Sequence, residues 1–215
     1  DCPKPILVGN CIGASIALEL ALRQPDRVAA LALFNVCGGL PMLTPHLRFW
    51  ATLRPSTRVG TALFRYILFV AGHPDIQQLN THFLYARGAP PLHPALRRFT
   101  TQQRFNPALR ASLYWLVMGL DSFSVFSQPR QRPVSFPPAL LSWGAENRTL
   151  AAEWSSTIAE WLQPEQVWLI ENAGHMPMYE QPAFVNAMLN DFLKQTEARR
   201  GLIAQPAEKI GPHDR

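Results

Sequence analysis

The feature that most constrains this chain is a pentapeptide standing where one hydrophobic pattern gives way to another. Residues 5–10, Pro-Ile-Leu-Val-Gly-Asn, form a short apolar run that ends in a turn and reads as a strand buried on both faces. Ile12 to Gln24 is crowded with Ala, Leu and Ile until Pro25 closes it, which reads as a helix. Gly9-Asn10-Cys11-Ile12-Gly13 lies across the junction. Val28 to Phe34 is a second apolar run. Strand, helix and strand at this spacing make a βαβ unit, and the two strands of such a unit lie parallel. The chain is thereby committed to an α/β fold before its first forty residues are spent.

From Leu40 to Pro133 the pattern changes. Prolines interrupt it repeatedly, and between them lie short helical stretches such as Thr61 to Ala71. Another helix follows Asn106-Pro107, a favourable N-cap and first helical position. Strand character resumes at Ala139 to Trp143, ending at Gly144. Ala151 to Leu162 is helical, and Val167 to Ile170 reads as the last strand, followed by the loop Glu171 to His175. Gln181-Pro182 opens a final helix with Phe184, Val185, Met188, Leu189, Phe192 and Leu193 on one face. The expected organisation is an α/β core from 1–39 and 134–198, a helical insertion at 40–133 and a flexible tail at 199–215.

Of 215 residues 47% are apolar, enough for a sizeable core. No apolar stretch is long enough to span a bilayer, because Glu19, Arg23 and Arg65 break the richest regions. The opening Asp-Cys-Pro-Lys lacks the basic start and apolar middle of a signal peptide. Three cysteines make no disulfide framework, so the expected setting is reducing and cytoplasmic. Residues 40–133 carry eleven arginines against two acids, Asp75 and Asp121, within a net charge of +5. Such a face is either solvated and paired elsewhere or attractive to an anionic partner. No nucleic-acid motif accompanies it. His46, His73, His82, His93 and His213 show no metal-ligand spacing, and no glycine loop for a dinucleotide or phosphate is present, so no cofactor or metal is implied. No feature fixes an oligomeric state.

The chemistry centres on Cys11. A G-x-Nuc-x-G pattern between strand and helix holds its central residue on a tight turn, and the next residue, here Ile12, lends an N–H to an oxyanion. The positive end of the helix favours thiolate at Cys11. Cys37, outside any motif, reads as a small buried residue, and Cys2 carries no signal. Pro-Ile-Leu-Val-Gly-Asn-Cys-Ile-Gly-Ala, followed by Ile-Ala-Leu-Glu-Leu-Ala-Leu-Arg-Gln-Pro-Asp-Arg-Val, closely resembles the α/β-hydrolase superfamily from its fifth strand to its sixth. Asn172-Ala173-Gly174-His175, then Met-Pro-Met and Glu180-Gln181-Pro182, resembles that family's catalytic-histidine loop. The family's acid falls in a pattern like Pro-x-Leu-Leu-x-Trp-Gly-x-x-Asp, which here is Pro138-Ala139-Leu140-Leu141-Ser142-Trp143-Gly144-Ala145-Glu146-Asn147.

The resemblance implies Cys11 as nucleophile, His175 as base and a third member at Asn147, where the family has Asp, or at Glu146 one residue earlier. Asn is chemically coherent with Cys. A thiol near ~8.5 lies about two units from a histidine near ~6.5, so thiolate and imidazolium can coexist while an amide oxygen orients the ring, as in papain-like proteases. The resemblance runs from the fifth strand to about residue 196. It implies a mainly parallel half-sheet, the last four strands of such a core, with an inserted helical lid, a fragment of a longer chain and one exposed strand edge.

The activity so implied is hydrolysis of an ester, thioester or lactone through an acyl-Cys intermediate. Dienelactone hydrolases are similar in using Cys on this fold. Acyl transfer is the main variant, since polyhydroxyalkanoate synthases share the Gly-x-Cys-x-Gly box, and a non-catalytic binding module is the rival from another class. The partner is a small-molecule acyl substrate, anionic if the arginines meet it. Phe49, Trp50, Phe64, Phe69, Phe83, Tyr85 and Trp115 line an acyl pocket or form the insertion's own core.

Overall fold

The computed structural model describes residues 4–52, 58–71, 84–91, 105–119 and 132–204, with single positions 73, 76, 94, 98 and 102 between them. Cys2, Phe83, His82, His93, His213, Asp75, Asp121 and the side chains of His46 and Trp50 lie outside the described residues. Four strands, β1 (Ile6–Asn10), β2 (Ala30–Phe34), β3 (Ala139–Gly144) and β4 (Gln166–Ile170), pair in that order and all in parallel. Leu7 stands opposite Leu31, Leu31 opposite Ala139, and Leu140 opposite Gln166. The helices are α1 (Ile12–Arg23), α2 (Pro45–Thr52), α3 (Arg58–Ala71), α4 (Pro107–Met118), α5 (Trp154–Leu162), α6 (Pro177–Glu180) and α7 (Pro182–Ala204).

The two-residue period of β2 divides the core. Leu31 and Leu33 join Leu141 and Trp143 on one face, under Ala14, Ala17, Leu18 and Ala21 of α1 and Ile158 and Leu162 of α5. Ala30, Ala32 and Phe34 face the other way, where Val185, Met188 and Phe192 of α7 close over them with Leu140 and Ile170. This is why β2 and β3 are buried throughout and why their sequences are apolar without alternation.

Three sequence expectations change. β1 is an edge strand, not one buried on both faces: Val8 is 55% exposed, as are Ile16 and Leu20 of α1 in part. That matches the open edge expected of a half-sheet. β4 forms the other edge, with Val167, Trp168 and Leu169 exposed, and Phe184 of α7 packs edge-on against Trp168 at 5.6 Å instead of entering the core. α7 also continues through Arg199 to Ala204, and Pro206 stands just beyond its end.

Among the described residues the stretch between β2 and β3 supplies the helices α2, α3 and α4 and irregular segments between them. α3 packs on α4 through Phe64 and Tyr114, whose rings meet edge to face at 5.9 Å. Asn106 caps α4, its Oδ1 accepting the N–H groups of Ala108 (3.0 Å) and Leu109 (3.2 Å). Residues 84–91 fasten this stretch to the core. Leu84 O accepts the His175 N–H at 2.8 Å, and Tyr179 Oη donates to Pro91 O at 2.7 Å.

Candidate active site

Cys11 follows the last residue of β1 and precedes the first of α1, with φ 53° and ψ −119°. A non-glycine residue in that region carries about 1–3 kcal/mol of strain, and the surroundings offset it. The Cys11 N–H donates to Phe34 O at 2.9 Å, and its carbonyl accepts from Ser15 N (3.2 Å) and Cys37 N (3.4 Å). Gly9 is required: a Cβ there would lie 2.6 Å from the backbone of Gly13 and Ala14. Gly13 is not, since a Cβ on it would meet nothing within 4 Å. The Ile12 N–H, the first amide of α1, reaches the Cys11 side chain and favours its thiolate.

The loop after β4 is held by close approach and by one carboxylate. A Cβ on Gly144 would fall 1.9 Å from Gly174 O, and one on Gly174 would strike the backbone of residues 84–86, so both must be glycine. The buried Glu180 carboxylate accepts three backbone N–H groups, from Ala86, Gly174 (2.9 Å) and Met176 (3.2 Å). It therefore ties the inserted stretch, the histidine loop and α6 into one unit. The His175 carbonyl accepts from Asn10 Nδ2 (3.2 Å) and Asn35 Nδ2 (3.1 Å), which seats this residue beside the elbow.

The side chain of Asn147 meets that of His175: Nδ2 lies 3.2 Å from Nδ1. Which end of the amide faces the ring decides the chemistry. Asn147 Oδ1 already accepts the N–H groups of Thr149 (2.9 Å) and Leu150 (3.0 Å). Asn147 Nδ2 donates to Asn35 Oδ1 at 3.0 Å, and that oxygen also accepts the Gly144 N–H at 3.1 Å. Turning the amide over would set donor against donor and oxygen against oxygen, so its direction is fixed by the network. The expectation that an amide oxygen orients the ring is thus corrected. An N–H points at Nδ1, so Nδ1 is an acceptor and the neutral ring carries its proton on Nε2.

His175 is buried, and burial pushes it down to about 4 from its ordinary 6.5. The depressed value has a sign that can be checked. Between about 6.5 and 4 the unfolded chain takes up a proton that the folded chain refuses, so stability falls as the pH is lowered through that window. The loss amounts to about 3 kcal/mol. Chemical denaturation at pH 7, 5.5 and 4 should show this loss, and His175→Gln should flatten it; parallel profiles for the two proteins would contradict the assignment.

Cys37 lies just past β2 and is buried against Cys11, where sequence reading had seen only a small core residue. The Ser15 hydroxyl stands within 2.6 Å of Cys37 O and 3.3 Å of Cys11 O. The two thiols perturb one another: the neighbouring Cys37 thiol and burial push Cys11 far up, while the Cys11 thiol draws Cys37 down. They titrate as a coupled pair in which Cys37 is the more acidic partner, because a second charge would sit against the first out of water. Among the described residues no hydrogen bond joins Cys11 to His175.

Glu146 turns away from His175. Its carboxylate accepts the Arg87 N–H at 3.1 Å on the surface, while its own N–H donates to Ala173 O. No group of three potential metal ligands occurs among the described residues. No helix among them is long and apolar enough to cross a membrane. Sequence reading missed Asn35, Cys37 and Glu180. Only Glu180, inside the quoted histidine-loop segment, left a local signal.

A parallel sheet with a strand-to-helix elbow at Cys11 and a histidine on the loop after a later strand has the layout of an α/β-hydrolase fold. The sequence profile of the alpha/beta hydrolase family matches residues 1–188, and the chain belongs to that family. It is 26% identical to a 2-hydroxymuconate semialdehyde hydrolase of Pseudomonas sp. (strain CF600), over 89% of this chain and 62% of the relative. It is 23% identical to Lipase 3 of Moraxella sp. (strain TA144), over 80% of this chain and 50% of the relative. The chain thus spans between half and five eighths of these curated relatives. Its fold is similar to the crystal structure of a bacterial membrane phospholipase A, with a TM-score of 0.62 and 25% identity, covering 88% of this chain and 56% of that one.

Proposed function

We propose that the protein carrying this chain is a hydrolase that cleaves thioesters, activated esters or lactones through an acyl group held on Cys11. The observation that carries this reading is the place of that thiol. It stands on a strained strand-to-helix elbow beside the Ile12 N–H, at the first turn of α1. Relatives named as a hydrolase and a lipase support the reaction class. In the reaction the more acidic Cys37, as its thiolate, takes the Cys11 proton, and Cys11 swings about χ1 from Cys37 into the cleft. Its thiolate adds to the acyl carbonyl, and the oxyanion takes the Ile12 N–H. Collapse breaks the bond to the leaving group. His175 steadies that group through Nε2–H but does not protonate it, since a neutral imidazole is far too weak an acid.

Substrate class follows from that last point. Leaving groups that depart as anions, such as thiolates, phenolates and enolates, suit the site, whereas alkoxides and amines do not. Water attacking the acyl-Cys would need a base, and Nε2 carries a proton, so release to water is slow. A thiol acceptor brings its own thiolate, which is how the same site would perform acyl transfer.

The inserted helices act as a lid in this reading. A cavity of about 580 Å³ between α3 and α4 is lined by Arg65, Arg110, Tyr66 and Phe69 among others. That supports an acyl donor with an anionic handle. The test is kcat/KM for anionic and neutral thioesters of one acyl chain across a salt series. The anionic donor should be preferred, and the preference should shrink as salt screens the arginines; a flat salt response would leave the lid arginines no role in binding. The second reading, a non-catalytic module, draws on the Cys11 thiol being turned toward Cys37 and not toward His175. Absence of turnover with every donor would favour it.

A further inference from the structure

We infer that Cys11 and Cys37 form a dithiol site that a hydroperoxide converts to a reversible disulfide, masking the elbow thiol. The inference deepens the reading of Cys11 as nucleophile, but its chemistry does not require acyl turnover. The two residues sit just beyond the ends of neighbouring parallel strands, where Asn10 stands opposite Phe34. The Cys37 N–H lies 3.4 Å from Cys11 O. A disulfide spans Cα atoms about 4.4–6.8 Å apart, a separation that such a backbone contact allows. The Ser15 hydroxyl, reaching toward both carbonyls, pins the two chain segments together. The Cys11 side chain packs against the buried cluster that holds Cys37, and both cysteines are free thiols.

Their exposures divide the work. Cys11 is only partly covered, whereas Cys37 is buried at 2% exposure. A hydroperoxide therefore meets Cys11 first. Cys11 passes its proton to the Cys37 thiolate and attacks the terminal peroxide oxygen, the O–O bond breaks, and the alkoxide or hydroxide leaves with a proton from water. Cys11 is now a sulfenic acid, oxidised by two electrons while the peroxide is reduced. Cys37 sulfur then attacks Cys11 sulfur. The S–S bond forms, the S–O bond breaks, and hydroxide leaves with the Cys37 proton as water. A dithiol reductant reverses the sequence by exchange. Without Cys37 at hand, the sulfenic acid would proceed to sulfinic and sulfonic acids, which do not return.

The experiment exposes the reduced protein to hydrogen peroxide at neutral pH and reads mass alone. The wild type should lose two hydrogens, both thiols should resist iodoacetamide, and a peptide joining Cys11 to Cys37 should appear. Dithiothreitol should restore the starting mass. In Cys37→Ser the same treatment should leave Cys11 with two or three added oxygens that dithiothreitol does not remove. The inference is overturned if wild-type Cys11 gains oxygens while Cys37 stays open to alkylation, or if the cross-linked peptide contains Cys2 in place of Cys37. Because no substrate is involved, these outcomes are independent of whether the protein turns over acyl donors.

Discussion

Replacing Asn147 by aspartate should speed release of an acyl group from Cys11 by about 10³- to 10⁴-fold. The size follows from the reverse substitution in serine triads, where Asp to Asn costs about 10⁴ by imposing the wrong imidazole tautomer. Here Asn147 Nδ2 directs an N–H at Nδ1 and so places the ring proton on Nε2, the nitrogen that would have to accept one from water. A carboxylate at 147 would keep its contacts with the Thr149 and Leu150 N–H groups and accept from Nδ1–H, freeing Nε2 to act as a base. The same change sets a carboxylate oxygen against Asn35 Oδ1, now 3.0 Å from Nδ2, so a stability cost of about 1–3 kcal/mol accompanies it. Stopped-flow separation of acylation from release measures the effect. Nitrogen NMR of His175 should show Nδ1 changing from acceptor to donor. Release that is unchanged in Asn147→Asp, with the fold intact, would remove the tautomer from the account.

Cys11→Ala should reduce acyl turnover to background, a loss on the order of 10⁴ or more, because no other group on the elbow can form the covalent intermediate. Cys11→Ser is the more telling variant. A thiol of ordinary pKa near ~8.5 reaches its anion with modest help, whereas a hydroxyl needs a base, and His175 in the Nε2–H form is not one. Serine at 11 should therefore be nearly as inactive as alanine. Combined with Asn147→Asp it should recover activity. Alkylation gives a second readout: because the neighbouring Cys37 thiol pushes Cys11 up, Cys37→Ser should speed the modification of Cys11 by iodoacetamide at neutral pH. Full activity in Cys11→Ala would end the assignment of the nucleophile. An active Cys11→Ser single variant would show that His175 can take up a proton after all.

The parts of this molecule that could be read in advance are those written locally. The βαβ unit, the elbow and the helix cap at Asn106 each announce themselves within a few residues, through apolar period and turn chemistry. The register from Pro138 to Asn147 is likewise local, and it brought Asn147 rather than Glu146 to the histidine. What could not be read is written across the chain. Asn35 reaches Gly144, Asn147 and the His175 carbonyl, partners more than a hundred residues away, and no pattern around Phe34-Asn35-Val36 signals them. The direction of the Asn147 amide depends on those partners and on two turn N–H groups, so residue identity alone suggested the opposite chemistry. Cys37 looked like packing because its only unusual neighbour is twenty-six positions earlier. The edge place of β1 came only with the resemblance to the last four strands of the fold, since an apolar run states what a strand can bury and not what lies beside it.

The most direct test of the central claim is to find the acyl group on the protein. Mixed with excess acyl thioester at neutral pH and quenched in acid, the protein should carry one acyl group per chain, lost to neutral hydroxylamine and mapped by tandem mass spectrometry to the peptide containing Cys11. The adduct should accumulate, because acylation outruns release, and it should be absent from Cys11→Ala. Steady turnover with no adduct at any quench time, or an acyl group mapped to a residue other than Cys11, would contradict the account.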